Sequence, residues 1–523
     1  MLFNSNEFIL FFPIVFLVYF LVPKKARTIV LLIASYVFYM GWNAKYALLI
    51  AFSTFITYCS GLLINRFETR KTSLLSSENE EQSTLTDDLT KALNNFQRKK
   101  KIVMFACIFI NLAILFVFKY FNFFLDNINS ALSAFNIQII EAPFSLILPV
   151  GISFYTFQAL SYTIDVYRGT IPVQKNFIKY ALFVSFFPQL VAGPIERSGN
   201  LLKQINDIEN IKIFNFKRIV NGLIVMLWGF FLKMVIADRI AKLADFALSH
   251  DSIWHMDSMA LIIGVVAFSL QIYCDFSSYS TIAIGAAEVM GFSLMENFNT
   301  PYFATSVKEF WNRWHISLST WFKDYIYIPL GGNRKGTKRK YLNLLIVFLT
   351  SGLWHGANWT FVIWGLIHAV FQIIGDMTAA PKKKFMTKMN VKTQSVSFRI
   401  MKMISTFILV NFAWIFFRAE SVTDAFAIIS RIFTQFDPWS LMNGVIYKMG
   451  LSTQEINILF VALVAMAIVD FIKYKKNQRI DQFLQDQILP FRWGVLLFLL
   501  IYVMVFGSYG PAFNAQDFIY FQF

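Results

Sequence analysis

The apolar runs decide what this chain can fold into. Stretches of about 17–25 predominantly apolar residues, the length that spans a bilayer as a helix, recur from FILFFPIVFLVYFLV at 8–22 to the run at 492–509. Water does not reach the hydrocarbon interior, so backbone polar groups there must pair within their own segment, and helices achieve this. With 57% hydrophobic and only 15% charged residues, the chain lies well outside the soluble balance. It reads as an all-α polytopic integral membrane protein of about eleven transmembrane helices plus one or two re-entrant or surface helices.

The net charge of +16 would suggest nucleic acid in a soluble chain. Here the basic residues fall in short loops beside apolar runs: PKKAR at 23–27, the ends of a polar stretch at 66–101, NRKGTKRK at 333–340, PKKKFMTK at 381–388 and KYKKNQR at 473–479. That is the positive-inside pattern, so the expected partner is the lipid bilayer and not nucleic acid, and the N-terminus is expected outside. Three cysteines lie far apart with no metal-ligand or disulfide spacing. The first apolar run has no basic region before it and no small-residue cleavage site, and reads as a retained helix.

Along the chain, 66–101 reads as a cytoplasmic loop, partly mobile, with an amphipathic helix near 84–98. Residues 180–197 contain Pro188, Gly193 and Pro194, which break the helical pattern. Broken backbone at membrane depth is tolerated only when buried in protein or lining a cavity, so a re-entrant hairpin is expected there. Spans follow at 215–247, 259–275 and 277–292, with Asp275 between the last two. An acid in that setting needs a partner or water. Neither an internal repeat nor an appended soluble domain is visible. The expectation is one membrane domain over 1–523, with N-terminal helices and loop at 1–101, a core at 102–376 and C-terminal helices at 377–523.

One stretch packs costly residues into this apolar setting. Residues 306–332, SVKEFWNRWHISLSTWFKDYIYIPLGG, read as a helix ending at Pro329 and the Gly331-Gly332 turn. At about 100° per residue, Trp311, Trp314, His315, Leu318 and Phe322 share one face, and Glu309 and Arg313 stand at i and i+4, where they can pair. Of five histidines, His250 and His255 lie in a polar connector, and His368 in WGLIHAVF suits an interhelical hydrogen bond. His315 and His355 each sit among Trp, Gly and small polar residues beside a helix break. His355 lies in SGLWHGANW at 351–359, the bend of a hairpin formed by 341–353 and 359–376. Packing of that hairpin against the focal helix would bring both imidazoles to one cavity. Neutral imidazole is a natural general base near neutral pH. No nucleophile elbow, P-loop or zinc-protease motif is present, and two histidines without nearby carboxylate or cysteine ligands make a poor metal site.

EFWNRWHISLSTWFKDYIYIPLGGNRKG, SGLWHGANWTFVIWG and SFFPQLVAGPIER together resemble the signature of membrane-bound O-acyltransferases, in particular the bacterial alginate O-acetylation type. The ending FIYFQF and the chain length fit that subgroup too. The resemblance implies a funnel or tunnel through the bilayer with His355 and His315 as catalytic residues near its narrowest point. Trp314, Trp354, Asn358 and Arg313 become the candidate substrate-binding residues. It also implies a bacterial cytoplasmic membrane and no bound cofactor or metal, with acetyl-CoA as the acyl donor. The acceptor would be an extracytoplasmic polysaccharide, reached directly or through an SGNH-type acetyltransferase. Two rivals stand beside this reading. One is D-alanyl transfer to teichoic acid from a carrier protein; the other is a transporter whose histidines relay protons, which would be expected to show repeat-related halves.

Overall fold

The computed structural model describes residues 1–78, 87–137, 139–140 and 148–509, and FIYFQF lies outside them. The described residues form helices and connecting turns with no strand. Among the described residues, eight helices are long and apolar enough to cross a membrane, and Asn6–Leu21 is a shorter apolar one. The chain packs as two compact units, residues Met1–Phe216 with Met290–Leu294, and Lys217–Val289 with Met295–Phe523.

In the first unit the described parts of the polar stretch at 66–101, residues 66–78 and 87–101, are helical; 79–86 lie outside the described residues. Helices Ala47–Glu78 and Asp87–Lys119 run on past their apolar parts. Lys100 of the second reaches back to Glu68 of the first, and Lys71 supports Glu68 from one turn away. These pairs give the charged ends a reason to stay helical. Arg27, expected in a basic loop, is buried, with its guanidinium donating to the Ile211 carbonyl at 3.0 Å.

The helix break expected in 180–197 is present and lies in protein interior. Helix Phe177–Ser185 stops at Phe186, and the four-residue turn Phe187–Leu190 follows. The carbonyl of Phe183, orphaned by the break, accepts from the side-chain amides of Gln158 at 2.5 Å and Gln189 at 3.2 Å. The Phe187 N–H donates to Ser35 Oγ at 3.1 Å. The interrupted backbone is thus satisfied by side chains, as a water-free interior demands.

In the second unit, the two spans expected at 259–275 and 277–292 are one helix, Ser258–Met290, of 33 residues. Asp275 does not interrupt it, because Lys233 lies 2.6 Å away and also holds Asp238 at 2.9 Å. Lys233 sits in a π-helical segment, Phe231–Ala237, within the long Phe216–Leu248 helix. The widened turn there is the kind of local irregularity that recurs near functional sites.

Helices Thr337–His355 and Trp359–Lys388 form the expected hairpin. Their close contact depends on two glycines. A Cβ at Gly352 would collide with the Phe361 carbonyl, and one at Gly365 with that of Phe348. Beyond the hairpin, Val422–Thr434 is tied to the 249–257 connector, where His250 Nδ1 meets Asp424 at 3.0 Å and Arg431 donates to the Met256 carbonyl at 2.8 Å.

Two outcomes follow. Gly365→Ala should destabilise the protein by about 1–3 kcal/mol through overpacking against backbone, whereas Gly375→Ala, with open space around it, should leave stability unchanged or slightly raised. Thermal unfolding in detergent separates the two. The hydrogen bond and charge of Asp424 raise the His250 pKa above its ordinary 6.5. Their tie is therefore fully present below about pH 6.5 and is lost as the pH rises through the raised value. Hydrogen exchange of 249–257, corrected for intrinsic rates, should be slower at pH 6 than at pH 8.5, and His250→Ala should abolish the difference.

Candidate active site

The focal stretch begins with a capped helix. Ser306 accepts the Glu309 N–H at 3.1 Å, and the Glu309 carboxylate takes the Thr305 N–H at 2.9 Å and hydroxyl at 2.7 Å. Arg313 Nε donates to Glu309 at 3.0 Å, so the i, i+4 pair is formed. The single helix expected over this stretch, however, breaks. Val307–Arg313 ends at an extended Trp314, His315 adopts a left-handed backbone with φ +43°, and Ile316–Phe322 starts afresh. A π-helical turn, Lys323–Tyr327, then leads into the glycine turn.

The cause of the break is a brace from residues 297–300. Asn299 N–H donates to the Arg313 carbonyl at 2.9 Å, while Arg313 Nη1 reaches the Asn299 carbonyl at 3.1 Å and Thr300 Oγ1 at 3.2 Å. Asn297 takes the Ile316 N–H on its carbonyl at 3.0 Å and the Ser317 N–H on its side-chain oxygen at 3.3 Å. A left-handed residue other than glycine costs roughly 1–2 kcal/mol and persists only where its surroundings over-determine it. Trp311, Trp314, His315, Leu318 and Phe322 are all buried in spite of the break.

The hairpin brings the second histidine to the first. His355 ends the Thr337–His355 helix, and Trp354 is the shared neighbour, its ring 5.8 Å from His315 and 4.8 Å from His355. Phe276 meets His315 edge-on at 4.6 Å. Trp364 and Phe417 flank His355 at 5.0 and 5.2 Å. Neither imidazole is more than 4% exposed. His315 is fully buried, and a neutral imidazole there keeps one N–H to donate.

The other candidate residues fall into distinct places. Trp314 packs on Phe298, Phe310 and Trp414 at 5.0–5.4 Å, and Arg313 is engaged with the brace. Asn358 caps the Trp359–Lys388 helix through Thr360 N–H at 3.0 Å and donates to the Glu420 carbonyl at 2.9 Å. Of the four residues expected to bind substrate, Trp354 alone contacts both histidines. His368 accepts the Trp311 Nε1–H on Nδ1 at 3.2 Å, the interhelical bond expected of it.

A cavity of about 1200 Å³ opens beside this cluster. Its lining includes Lys308, Lys323, Arg334, Lys335, Lys340, Lys382 and Lys402 against a single acid, Asp376, which Lys340 holds at 2.6 Å. The lining also includes the buried residues Trp311, Leu318, Phe322, Phe348 and Ser351, which form its depth. Ser351 is one helical turn before His355, and Leu318 and Ser319 are one turn after His315. On a helix this is a step of about 6 Å along the axis. The chamber is thus cationic along its charged lining, apolar in its depth, and stops one turn short of both imidazoles. Sequence reading had Trp311, Leu318 and Phe322 on one face but missed Phe348 and Ser351 of the lining and the Asn297 brace.

The family model for the membrane-bound O-acyltransferase family matches residues 170–419. The chain is 37% identical to the probable alginate O-acetylase AlgI of Azotobacter vinelandii, over 90% of this chain and 84% of that protein. The chain belongs to the membrane-bound O-acyltransferase family. Within that family it is also 37% identical to the probable alginate O-acetylase AlgI of Pseudomonas aeruginosa, over 89% of this chain and 81% of that one. It is 33% identical to the peptidoglycan O-acetyltransferase of Helicobacter pylori, over 82% and 79% respectively. The protein is an O-acyltransferase enzyme, and its polytopic helical fold is that of the family.

The left-handed backbone at His315 gives a direct test. Asparagine tolerates that conformation and keeps an N–H donor, whereas alanine does neither. His315→Asn should retain at least ten times the turnover of His315→Ala in an acyl-transfer assay, with equal yields of folded protein by size exclusion.

Proposed function

We propose that this enzyme is an O-acetyltransferase of the bacterial cytoplasmic membrane that takes acetyl from a cytoplasmic thioester, acetyl-CoA, for O-acetylation of an extracytoplasmic polysaccharide. The observation that carries the reading is the chamber whose basic lining gives way to an apolar depth ending one turn from His355 and His315. Residues 333–340 and 381–388, which contribute to that lining, are the basic segments expected on the cytoplasmic side, although 337–340 and 381–388 are helical and not loops. Cationic side chains there suit the phosphates of coenzyme A, and the apolar depth suits the pantetheine arm. The names carried by the relatives, alginate O-acetylase and peptidoglycan O-acetyltransferase, favour acetyl and a carbohydrate acceptor.

In this reading the neutral imidazole of His355 takes the proton of an acceptor hydroxyl. The oxygen attacks the thioester carbonyl, a C–O bond forms, and the oxyanion accepts an N–H from His315. Collapse breaks the C–S bond, and the imidazolium returns its proton to the departing thiolate. Donor and acceptor meet at the histidines from opposite faces of the membrane, with the N-terminus outside. The acceptor is a sugar hydroxyl, or a hydroxyl on an SGNH-type partner that makes the final transfer.

Purified enzyme in liposomes, given radiolabelled acetyl-CoA and a soluble hydroxyl acceptor, should transfer label. His355→Ala should reduce this by about 10²–10⁴-fold, the usual worth of a general base. Full turnover in His355→Ala would refute the base assignment. Inertness to acetyl-CoA with transfer of D-alanine from a carrier protein would establish the rival donor.

A further inference from the structure

His368 is the one deeply buried histidine that the proposed chemistry does not use. It is fully buried in the Trp359–Lys388 helix, and its Nδ1 accepts from Trp311 Nε1 at 3.2 Å. Trp311 in turn lines the depth of the donor chamber. Its indole meets Phe348, also in the lining, at 5.2 Å and Trp364 at 5.7 Å, and Trp364 touches His355 at 5.0 Å. Trp311 therefore links the chamber lining to the aromatic side chains that flank His355.

An indole in such a lining blocks only if it cannot turn aside. A ring held by apolar contacts alone changes rotamer when a ligand pushes into it. Trp311 is held by a directional hydrogen bond as well, and breaking that bond would strand a buried N–H. The same bond fixes the tautomer of His368, since an Nδ1 that accepts leaves the proton on Nε2.

We propose that Trp311 is the specificity-determining residue that limits the acyl group to two carbons, and that His368 is the positioning residue that holds it there. This rests on the reading of the chamber as the thioester site. With the thioester carbonyl near Ser351, one turn from His355, an acetyl methyl fits in front of the indole. A butyryl chain needs the volume that Trp311 and Phe348 occupy. An open apolar pocket discriminates only about 10–200-fold per methylene, and it favours the longer chain when space exists. A fixed wall reverses that preference.

The test is the ratio of kcat/KM for butyryl-CoA to that for acetyl-CoA, measured on full-length enzyme in liposomes. Trp311→Ala should raise the ratio by on the order of 10- to 100-fold, with slower acetyl transfer. Trp311→Phe, which keeps a ring but not the N–H, should give a smaller rise. His368→Leu should raise the ratio although it touches no substrate, and His368→Asn, which offers an acceptor near the Nδ1 position, should restore it. A merely structural role would lower both rates together and leave the ratio unchanged. For any variant without turnover, relative binding of acetyl and butyryl thioether analogues of the coenzyme reads the same preference. An unchanged ratio in Trp311→Ala or His368→Leu, by rates or by binding, overturns the proposal. Wild-type enzyme that uses no acyl-CoA overturns the donor reading instead, and the length limit with it.

Discussion

The left-handed turn at His315 is the constraint on which the site depends. A continuous helix from 307 to 327 would satisfy its own backbone. Breaking it leaves N–H and C=O groups in a buried setting that need new partners. The segment 297–300 meets that demand, with Asn297 serving the new helix start and Asn299 and Thr300 serving Arg313. The imidazole is thereby turned towards Trp354 and Phe276. Strain is kept because the surrounding hydrogen bonds leave the chain no better alternative.

The same unit repeats this logic with charge. Asp275 and Asp238 would each be untenable alone in an apolar helix, yet both lie within 3 Å of Lys233. Buried ion groups contribute little net stability against well-packed apolar residues, but removing one partner is severe. Their effect here is to fix helix Ser258–Met290 against the π-helical turn at 231–237. Phe276, next to Asp275 in sequence, is carried on the same helix to the wall of the histidine site.

Much of this was legible in the sequence, and the exceptions have physical causes. Apolar run length gave the membrane class, and the i, i+4 spacing of Glu309 and Arg313 gave their bond. The buried face of the focal stretch was readable from period alone. Its break was not, because the partners that hold it lie some fifteen residues upstream in a loop without periodicity. Asp275 looked like an interruption because its countercharge is 42 residues away. The polar stretch at 66–101 looked like a loop because composition does not reveal that Lys100 folds back on Glu68. The basic lining is scattered from 308 to 402, and the fold alone gathers it. His368 showed its kind of bond in advance, but not that the donor would be Trp311.

The cationic lining would carry a cost for turnover under the proposed donor. Side chains that bind phosphates would meet the same groups on loaded and spent coenzyme A, so that part of the binding energy would be uniform across the reaction cycle. It would draw the donor in and hold the leaving thiol with equal strength. Free coenzyme A would then compete with its own thioester for the chamber, and its departure would weigh on the pace of the cycle.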